Sequence, residues 1–122
     1  MALTISEFGT PTLGYKILKE DGATTGAISF HGNATGSSGT LHDIYVTNGA
    51  AGMFLKIYFG SAAAKSDDPD LKIQIQSGQT ELISLPGGVA FTELSFFSTT
   101  DEATGASPTA PGVAVVVYMI TS

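Results

Sequence analysis

The sequence of 122 residues contains no cysteine, no arginine and no tryptophan, and only 13% of its residues are charged. The lack of cysteine excludes disulfides, thiolate nucleophiles and cysteine-ligated zinc. All five positive charges are lysines, so the chain has no guanidinium for bidentate contacts with phosphate. A net charge of −6 would repel nucleic acid and anionic membranes. We therefore expect neither nucleic acid nor a membrane as a partner.

The charged share is about half of the roughly 25% that an ordinary soluble domain carries. A surface with so few charges is expected to be partly covered by another protein. The length suits a single domain covering residues 1–122. The first residues, Met-Ala-Leu-Thr-Ile-Ser-Glu, lack the basic start and unbroken apolar stretch of a secretion signal, so we expect no such signal.

Hydrophobic residues alternate with polar ones along much of the chain. In residues 71–76, Leu-Lys-Ile-Gln-Ile-Gln, the aliphatic side chains fall on one face of a strand. Comparable patterns predict strands at 3–8, 15–20, 27–31, 40–47, 53–59, 71–76, 81–85, 89–97 and 113–120. Many short strands separated by turn residues predict an all-β fold, an antiparallel two-sheet sandwich of jelly-roll type.

Glycine-containing segments punctuate these strands. Asn48-Gly49, Ser77-Gly78 and Pro86-Gly87-Gly88 supply residues suited to positive φ and predict that consecutive strands form antiparallel hairpins. Longer loops are predicted at 32–39, 61–70 and 99–111, the second with a possible helical turn at its Ala-Ala-Ala-Lys. Loops of such length in a small domain are often functional.

Catalysis would need a nucleophile and a base held together, and the sequence offers only His31 and His42 as imidazoles. His42 and Asp43 are neighbours in a strand and so point to opposite faces. The acidic loop residues Asp67, Asp68 and Asp70 lack the spacing of a calcium-binding EF-hand. We expect no enzymatic activity, no cofactor and no metal site.

Several predicted strands carry large apolar residues on both faces, as in Val113–Ile120 and at Phe96-Phe97. Such a strand is either covered on both sides within one chain or covered on its outer side by a neighbouring subunit. The second alternative makes the protein a homo-oligomer. The predicted interface residues are Phe54, Tyr58, Phe96, Tyr118 and Ile120 from strands with large outer side chains, together with Leu3, Ile5 and Phe8 from the apolar start of the chain.

Two segments carry a family resemblance. Residues 38–48, Ser-Gly-Thr-Leu-His-Asp-Ile-Tyr-Val-Thr-Asn, followed by Phe54-Leu-Lys-Ile-Tyr58, resemble a pattern of small virion structural proteins of tailed bacteriophages. Residues 85–91, Leu-Pro-Gly-Gly-Val-Ala-Phe, with the acidic loop through Asp101 and the closing Val-Val-Val-Tyr of 115–118, resemble the second half of that family. The resemblance covers roughly the last two-thirds of the chain.

The resemblance implies a β-sandwich decoration or cement protein, located on the capsid surface of the virion. Such proteins bind the major capsid protein, often as trimers, and stabilise the head. Residues 1–10 lie outside the resemblance and are predicted to be an arm that adds to the sheet edge of a neighbour. A tail, neck or fibre-associated sandwich and a carbohydrate-binding module remain as alternatives.

Overall fold

The computed structural model describes residues 3–7, 16–21, 30–48, 52–61, 64–105, 107–110 and 115–122, with the backbone alone for 3–7 and 16–21. These ranges form strands and connecting segments and contain no helix that could cross a bilayer. The strands are β1 (Leu3–Glu7), β2 (Lys16–Asp21), β3 (Gly39–Asn48), β4 (Met53–Tyr58), β5 (Leu71–Ile75), β6 (Thr80–Phe91), β7 (Ser95–Thr99) and β8 (Val115–Thr121).

The strands form two antiparallel sheets. The larger sheet has the order β1-β2-β8-β3-β6, and the smaller has the order β5-β4-β7. His31 extends the smaller sheet by an isolated antiparallel bridge to Phe96 of β7. Four connections pass between the sheets: the one from β3 to β4 and the three that join β5, β6, β7 and β8. With the strand order of the two sheets, these crossovers give the chain jelly-roll order. The predicted all-β, antiparallel, jelly-roll-like sandwich is confirmed.

The predicted hairpins are wrong at the three glycine-containing segments. The segments after Asn48 and around Gly78 join strands of different sheets, so they are crossovers. Pro86-Gly87-Gly88 lies inside β6, where residues 85–88 bulge out opposite His42 of β3. Turn residues reverse or kink a chain, but they do not specify which sheet the next strand joins.

The bulge in β6 depends on two glycines. Gly87 and Gly88 have φ angles of 78° and 75°, a region that L-residues with a side chain rarely adopt. A Cβ atom at Gly88 would also collide with Cγ2 of Thr40, whereas open space surrounds Gly87. The bulge bends β6 so that both of its halves stay paired with β3.

The core lies between the two sheets and contains aliphatic and aromatic side chains from both. Alternate residues of β8 are buried, and the same holds for Leu55 and Ile57 of β4. The cluster consists of Leu41, Ile44, Val46, Met53, Leu55, Ile57, Ile75, Phe91, Leu94, Phe96, Val115, Val117 and Met119. Burial of this apolar surface is the main force that holds the sheets together.

The start of the chain differs from the predicted arm. Residues Leu3–Glu7 pair with Lys16–Asp21 of the same chain and form one edge of its own larger sheet. The structure therefore places this segment within the protomer's sandwich. Most of the strand predicted at 27–31 lies outside the described residues, and its last residue makes the bridge to β7.

Candidate interaction surfaces

The outer face of the larger sheet exposes a group of apolar side chains. Val115, Val117 and Met119 of β8 point into the core, so the residues that alternate with them point outwards. We call the outward group the tyrosine face; it consists of Tyr45, Leu82, Val116, Tyr118 and Ile120. Leu82 is 65% exposed and Tyr45 is 43% exposed. The other three members of the face are half-buried.

Strand register brings the centre of the tyrosine face together. Tyr45 of β3 lies opposite Leu82 of β6 on one side and opposite Tyr118 of β8 on the other. The rings of Tyr45 and Tyr118 meet edge to face, with centroids 6.0 Å apart and planes inclined by 68°. This is a favoured aromatic arrangement, and it gives the middle of the face a fixed shape.

The described part of the tyrosine face carries little charge. Asp43 of β3 lies opposite Ile120 and Ser84 and is a half-buried carboxylate at its border. Thr47 and Thr80 flank the opposite end, with their hydroxyl oxygens 3.3 Å apart. On the side of β2, the register sets Lys19 opposite Tyr118 and Asp21 opposite Val116. Contacts made by this face should therefore be mainly apolar at its centre, with polar and charged residues at its borders.

The chain itself covers part of the outer face of the smaller sheet, around Lys56 and Tyr58. Lys56 of β4 is 1% exposed, and its Nζ donates a hydrogen bond of 2.9 Å to the carbonyl oxygen of Ala103. The same Nζ lies 5.9 Å from the ring centroid of Phe97. Burial, followed by the nearby charge of Lys72, lowers the pKa of Lys56 from its ordinary value. Lys72 in turn pairs with Glu102 at 3.7 Å.

Tyr58 is held beneath the second long loop. Its hydroxyl donates a hydrogen bond of 2.8 Å to the carbonyl oxygen of Asp67, and its ring stacks on Phe97 and meets the edge of Phe30. Burial and the negative charges of Asp67, Asp68 and Asp70 raise the pKa of Tyr58 to about 12. The phenol therefore keeps its proton at all ordinary pH values.

Acidic residues of the loops at 61–70 and 99–111 accept hydrogen bonds from backbone N–H groups. Asp67 and Asp70 each accept a backbone N–H at 2.7 Å, from Ala64 and Phe59. Asp101 accepts the N–H of Thr109 at 2.7 Å, which closes the third loop. Across the described ranges, no three His, Cys, Asp or Glu side chains are placed to hold a metal ion.

The histidines lie in different sheets. His31 packs against the ring of Phe96 with centroids 5.1 Å apart, at the edge of the smaller sheet. His42 Nε2 lies 2.8 Å from the hydroxyl oxygen of Ser122, a pair that the sequence did not predict because the residues are 80 positions apart. Backbone bonds between Thr40 and Ser122 join the same strands, so the pair fastens the end of β8 to β3.

The predicted interface residues fall into three groups. Tyr118 and Ile120 lie on the tyrosine face, and Phe54 is half-buried on the outer face of the smaller sheet. Phe96 lies in the core and Tyr58 beneath a loop, 0% and 3% exposed, so the protomer itself covers both residues. The side chains of Leu3 and Ile5 and the whole of Phe8 lie outside the described residues.

The sequence missed the two most exposed members of the tyrosine face. Tyr45 belongs to the strand predicted at 40–47, and Leu82 is one of several alternating residues of the strand predicted at 81–85. Nothing in either segment marks the side chain as exposed. The exposed group becomes visible only with the strand register, which sets Tyr45 between Leu82 and Tyr118.

No family model and no curated protein matches this chain. Among solved structures, the coat protein of Tobacco streak virus is similar at 10% sequence identity, with a TM-score of 0.47 over 95% of this chain and 90% of that one. The assignment of the fold rests on the strand order and register described above.

Proposed function

We propose that this protein is a virion structural protein, specifically a capsid decoration or cement protein. In this proposal it binds the outer surface of the major capsid protein lattice and stabilises the head without catalysing a reaction. The observation that carries the proposal is the exposed tyrosine face, because an apolar patch on the surface of a folded domain is suited to covering another protein surface.

The distribution of charge supports an orientation for such binding. The acidic loop residues Asp67, Asp68 and Glu102 lie over the smaller sheet, on the opposite side of the sandwich from the tyrosine face. The tyrosine face would therefore contact the lattice, and the acidic loops would face solvent. Negative charge directed to solvent also keeps neighbouring particles apart.

The energetics suit a symmetric lattice. A patch built around two tyrosines and three aliphatic residues is small, and a single small contact gives weak affinity. Many copies joined to one another on a repeating surface convert weak contacts into strong overall attachment. The fold does not by itself assign this role, because jelly rolls form both capsid proteins and lectins.

The direct test compares two variants that add the same charge to opposite faces. Tyr45→Glu places a carboxylate at the centre of the tyrosine face, and Gln74→Glu places one on the exposed outer side of β5. The experiment uses purified particles of the virus that encodes this chain, after the native protein has been removed from them. Each variant is mixed with these particles, and the amount of bound protein is measured. We expect binding at least tenfold weaker for Tyr45→Glu and unchanged for Gln74→Glu; equal binding by both would contradict the proposed face.

Copy number separates the head from other virion locations. Quantitative mass spectrometry of purified particles should give hundreds of copies for a protein that covers the capsid lattice. A handful of copies would instead support a tail, neck or fibre-associated sandwich. Absence from the particles would exclude a virion role altogether.

The tyrosine pair also favours a second candidate, a carbohydrate-binding module, because tyrosine rings on a sheet face can stack on sugars. The inclination of 68° between the two rings prevents one flat sugar chain from stacking on both. Glycan-array binding that is lost in Tyr45→Ala and Tyr118→Ala would support this candidate over the capsid role.

A further inference from the structure

Strand β6 is an open edge of the larger sheet. The larger sheet ends at β6, and in the described part of the chain the side of β6 that faces away from β3 pairs with no other strand. Every second residue of an edge strand directs its backbone N–H and C=O away from the sheet. Such an edge can accept another strand by antiparallel pairing.

The two halves of β6 differ in how they resist such pairing. The second half contains Pro86 and the positive-φ residues Gly87 and Gly88, and a proline and a bulge both obstruct a new strand. Residues 80–85, Thr-Glu-Leu-Ile-Ser-Leu, contain neither proline nor lysine. Their one charged residue is Glu81, which belongs to the inward-facing set with Ile83 and Leu85. Leu82, on the outer side, is 65% exposed.

We propose that a second copy of this chain pairs with this edge. The two strands run antiparallel over residues 80–84 about a two-fold axis at Leu82. This register sets Leu82 against Leu82 and Thr80 against Ser84 on the outer side. On the inner side it sets Glu81 against Ile83, so the two glutamates are not opposite each other.

The chemistry of the segment favours a second copy as the occupant. Apolar pairs and hydroxyl pairs directly opposite each other stabilise antiparallel strands, whereas like charges opposite each other destabilise them. The proposed register contains the first two kinds of pair and avoids the third. The edge strand β5 of the smaller sheet differs, because Lys72 lies in it and a lysine on an edge hinders pairing.

The pairing extends the tyrosine face. A two-fold axis perpendicular to the sheet keeps the same face of both copies on the same side, so the two Leu82 side chains meet and the two tyrosine pairs flank them. The predicted trimer would need a different contact, because a two-fold contact joins copies in pairs. The inference adds to the proposed function without depending on it, since it concerns the isolated protein.

The absence of cysteine from the chain permits a direct test by cross-linking. Leu82→Cys gives each copy one thiol, and directly opposite residues of antiparallel strands have Cβ atoms within about 4.5–5.5 Å, close to disulfide geometry. Gln74→Cys, exposed on the edge strand β5, is the matched control. Under mild oxidation at micromolar concentration, we expect most of the Leu82→Cys protein and only a small fraction of the Gln74→Cys protein to become a covalent dimer. Equal cross-linking of the two variants would overturn the inference.

Light scattering gives an independent measurement. The unmodified chain should have the mass of a two-fold pair or a multiple of it, and Leu82→Lys should reduce this mass at least twofold by charging the shared edge. The melting temperature of Leu82→Lys shows that it is folded, which is expected because the side chain is mostly exposed. A monomeric unmodified chain would disprove the pairing, while binding of that monomer to stripped particles would leave the proposed function standing.

Discussion

Ser95 and Ser98 of β7 are both buried but differ in what their hydroxyl groups contact. Ser95 Oγ accepts the backbone N–H of Asn33 at 3.0 Å. Ser98 Oγ is buried and has no hydrogen-bond partner among the described residues. A buried hydroxyl without a partner costs about 1–3 kcal/mol, whereas a typical satisfied hydrogen bond contributes about 1 kcal/mol. The two serines therefore affect the stability of the fold in opposite directions.

Substituting each serine by alanine should separate these effects. We expect Ser98→Ala to raise the free energy of unfolding by about 1 kcal/mol, because it removes the unpaired hydroxyl at the cost of a small void. Ser95→Ala should lower it by about 1 kcal/mol, because the Asn33 N–H loses its acceptor. Urea denaturation at neutral pH measures both, and a loss of stability in Ser98→Ala would show that its hydroxyl has a partner.

Tyr58 should make the stability of the fold depend on pH in the alkaline range. Its pKa is about 12 in the folded chain against an ordinary 10.0, so the unfolded chain releases the phenol proton first as the pH rises. Stability from this group is complete below pH 10 and is lost between about pH 10 and pH 12, by up to about 3 kcal/mol. Lys56, with a lowered pKa, acts in the opposite direction as its own proton is lost.

The variant Tyr58→Phe isolates this effect. It should be less stable at pH 7 by about 1 kcal/mol, because the hydrogen bond to the Asp67 carbonyl is lost. The difference from the unmodified chain should shrink or reverse between pH 10 and pH 12, since phenylalanine has no proton to lose. Chemical denaturation across this range provides the measurement; a constant difference at every pH would mean that Tyr58 titrates normally.

At the scale of elements, the bulge in β6 is the irregularity that the larger sheet depends on. Gly87→Ala and Gly88→Ala both place a side chain at positive φ, which costs about 1 kcal/mol. Only Gly88→Ala also brings a Cβ atom against Thr40. We therefore expect Gly88→Ala to be the more damaging by at least about 2 kcal/mol, in the range of strained core substitutions.

Thermal unfolding followed by circular dichroism compares the two variants, with Gly87→Ala as the control for backbone strain. Similar melting temperatures would mean that β6 moves away from β3 at the bulge to make room. Gly87 and Gly88 both follow residues 80–85, so the sequence of the open edge of β6 is the same in both variants.

The acidic loops have a structural role: they bind residues of their own chain. Negative residues in a loop can contact a basic partner or face solvent. In the structure, Glu102 pairs with Lys72, and the adjacent Ala103 carbonyl binds Lys56. The loop therefore covers Lys56 and contacts the exposed Lys72 of its own chain, which leaves the other side of the molecule as the exposed apolar side.

At the scale of the whole molecule, the two sides of the sandwich predict how particle binding depends on salt. Attachment through the tyrosine face should change less than about threefold between 0.05 and 0.5 M NaCl, because apolar contacts are not screened by ions. Attachment through the acidic loops to basic capsid groups would weaken by much more. Sedimentation of particles with bound protein at each salt concentration distinguishes the two surfaces.

The sequence predicted the strands well because strand alternation is a local property. The predicted strand at 71–76 and β5 differ by one residue, and the predicted strand at 53–59 and β4 do the same. Positive φ at Gly78, Gly87 and Gly88 is confirmed. The predicted strand 89–97 was wrong as one unit, because residues 92–94 carry the chain from one sheet to the other.

The sequence by itself determined an all-β chain with few charges. Alternation in the strand predicted at 53–59 also puts Phe54, Lys56 and Tyr58 on one face. The tertiary structure decided what covers each face: the chain's own loops lie over Lys56 and Tyr58, while Tyr45 and Leu82 stay exposed. The reason is physical. Alternation fixes which side chains share a face within a few residues, whereas coverage depends on contacts between segments tens of residues apart, which crossovers and strand register bring together.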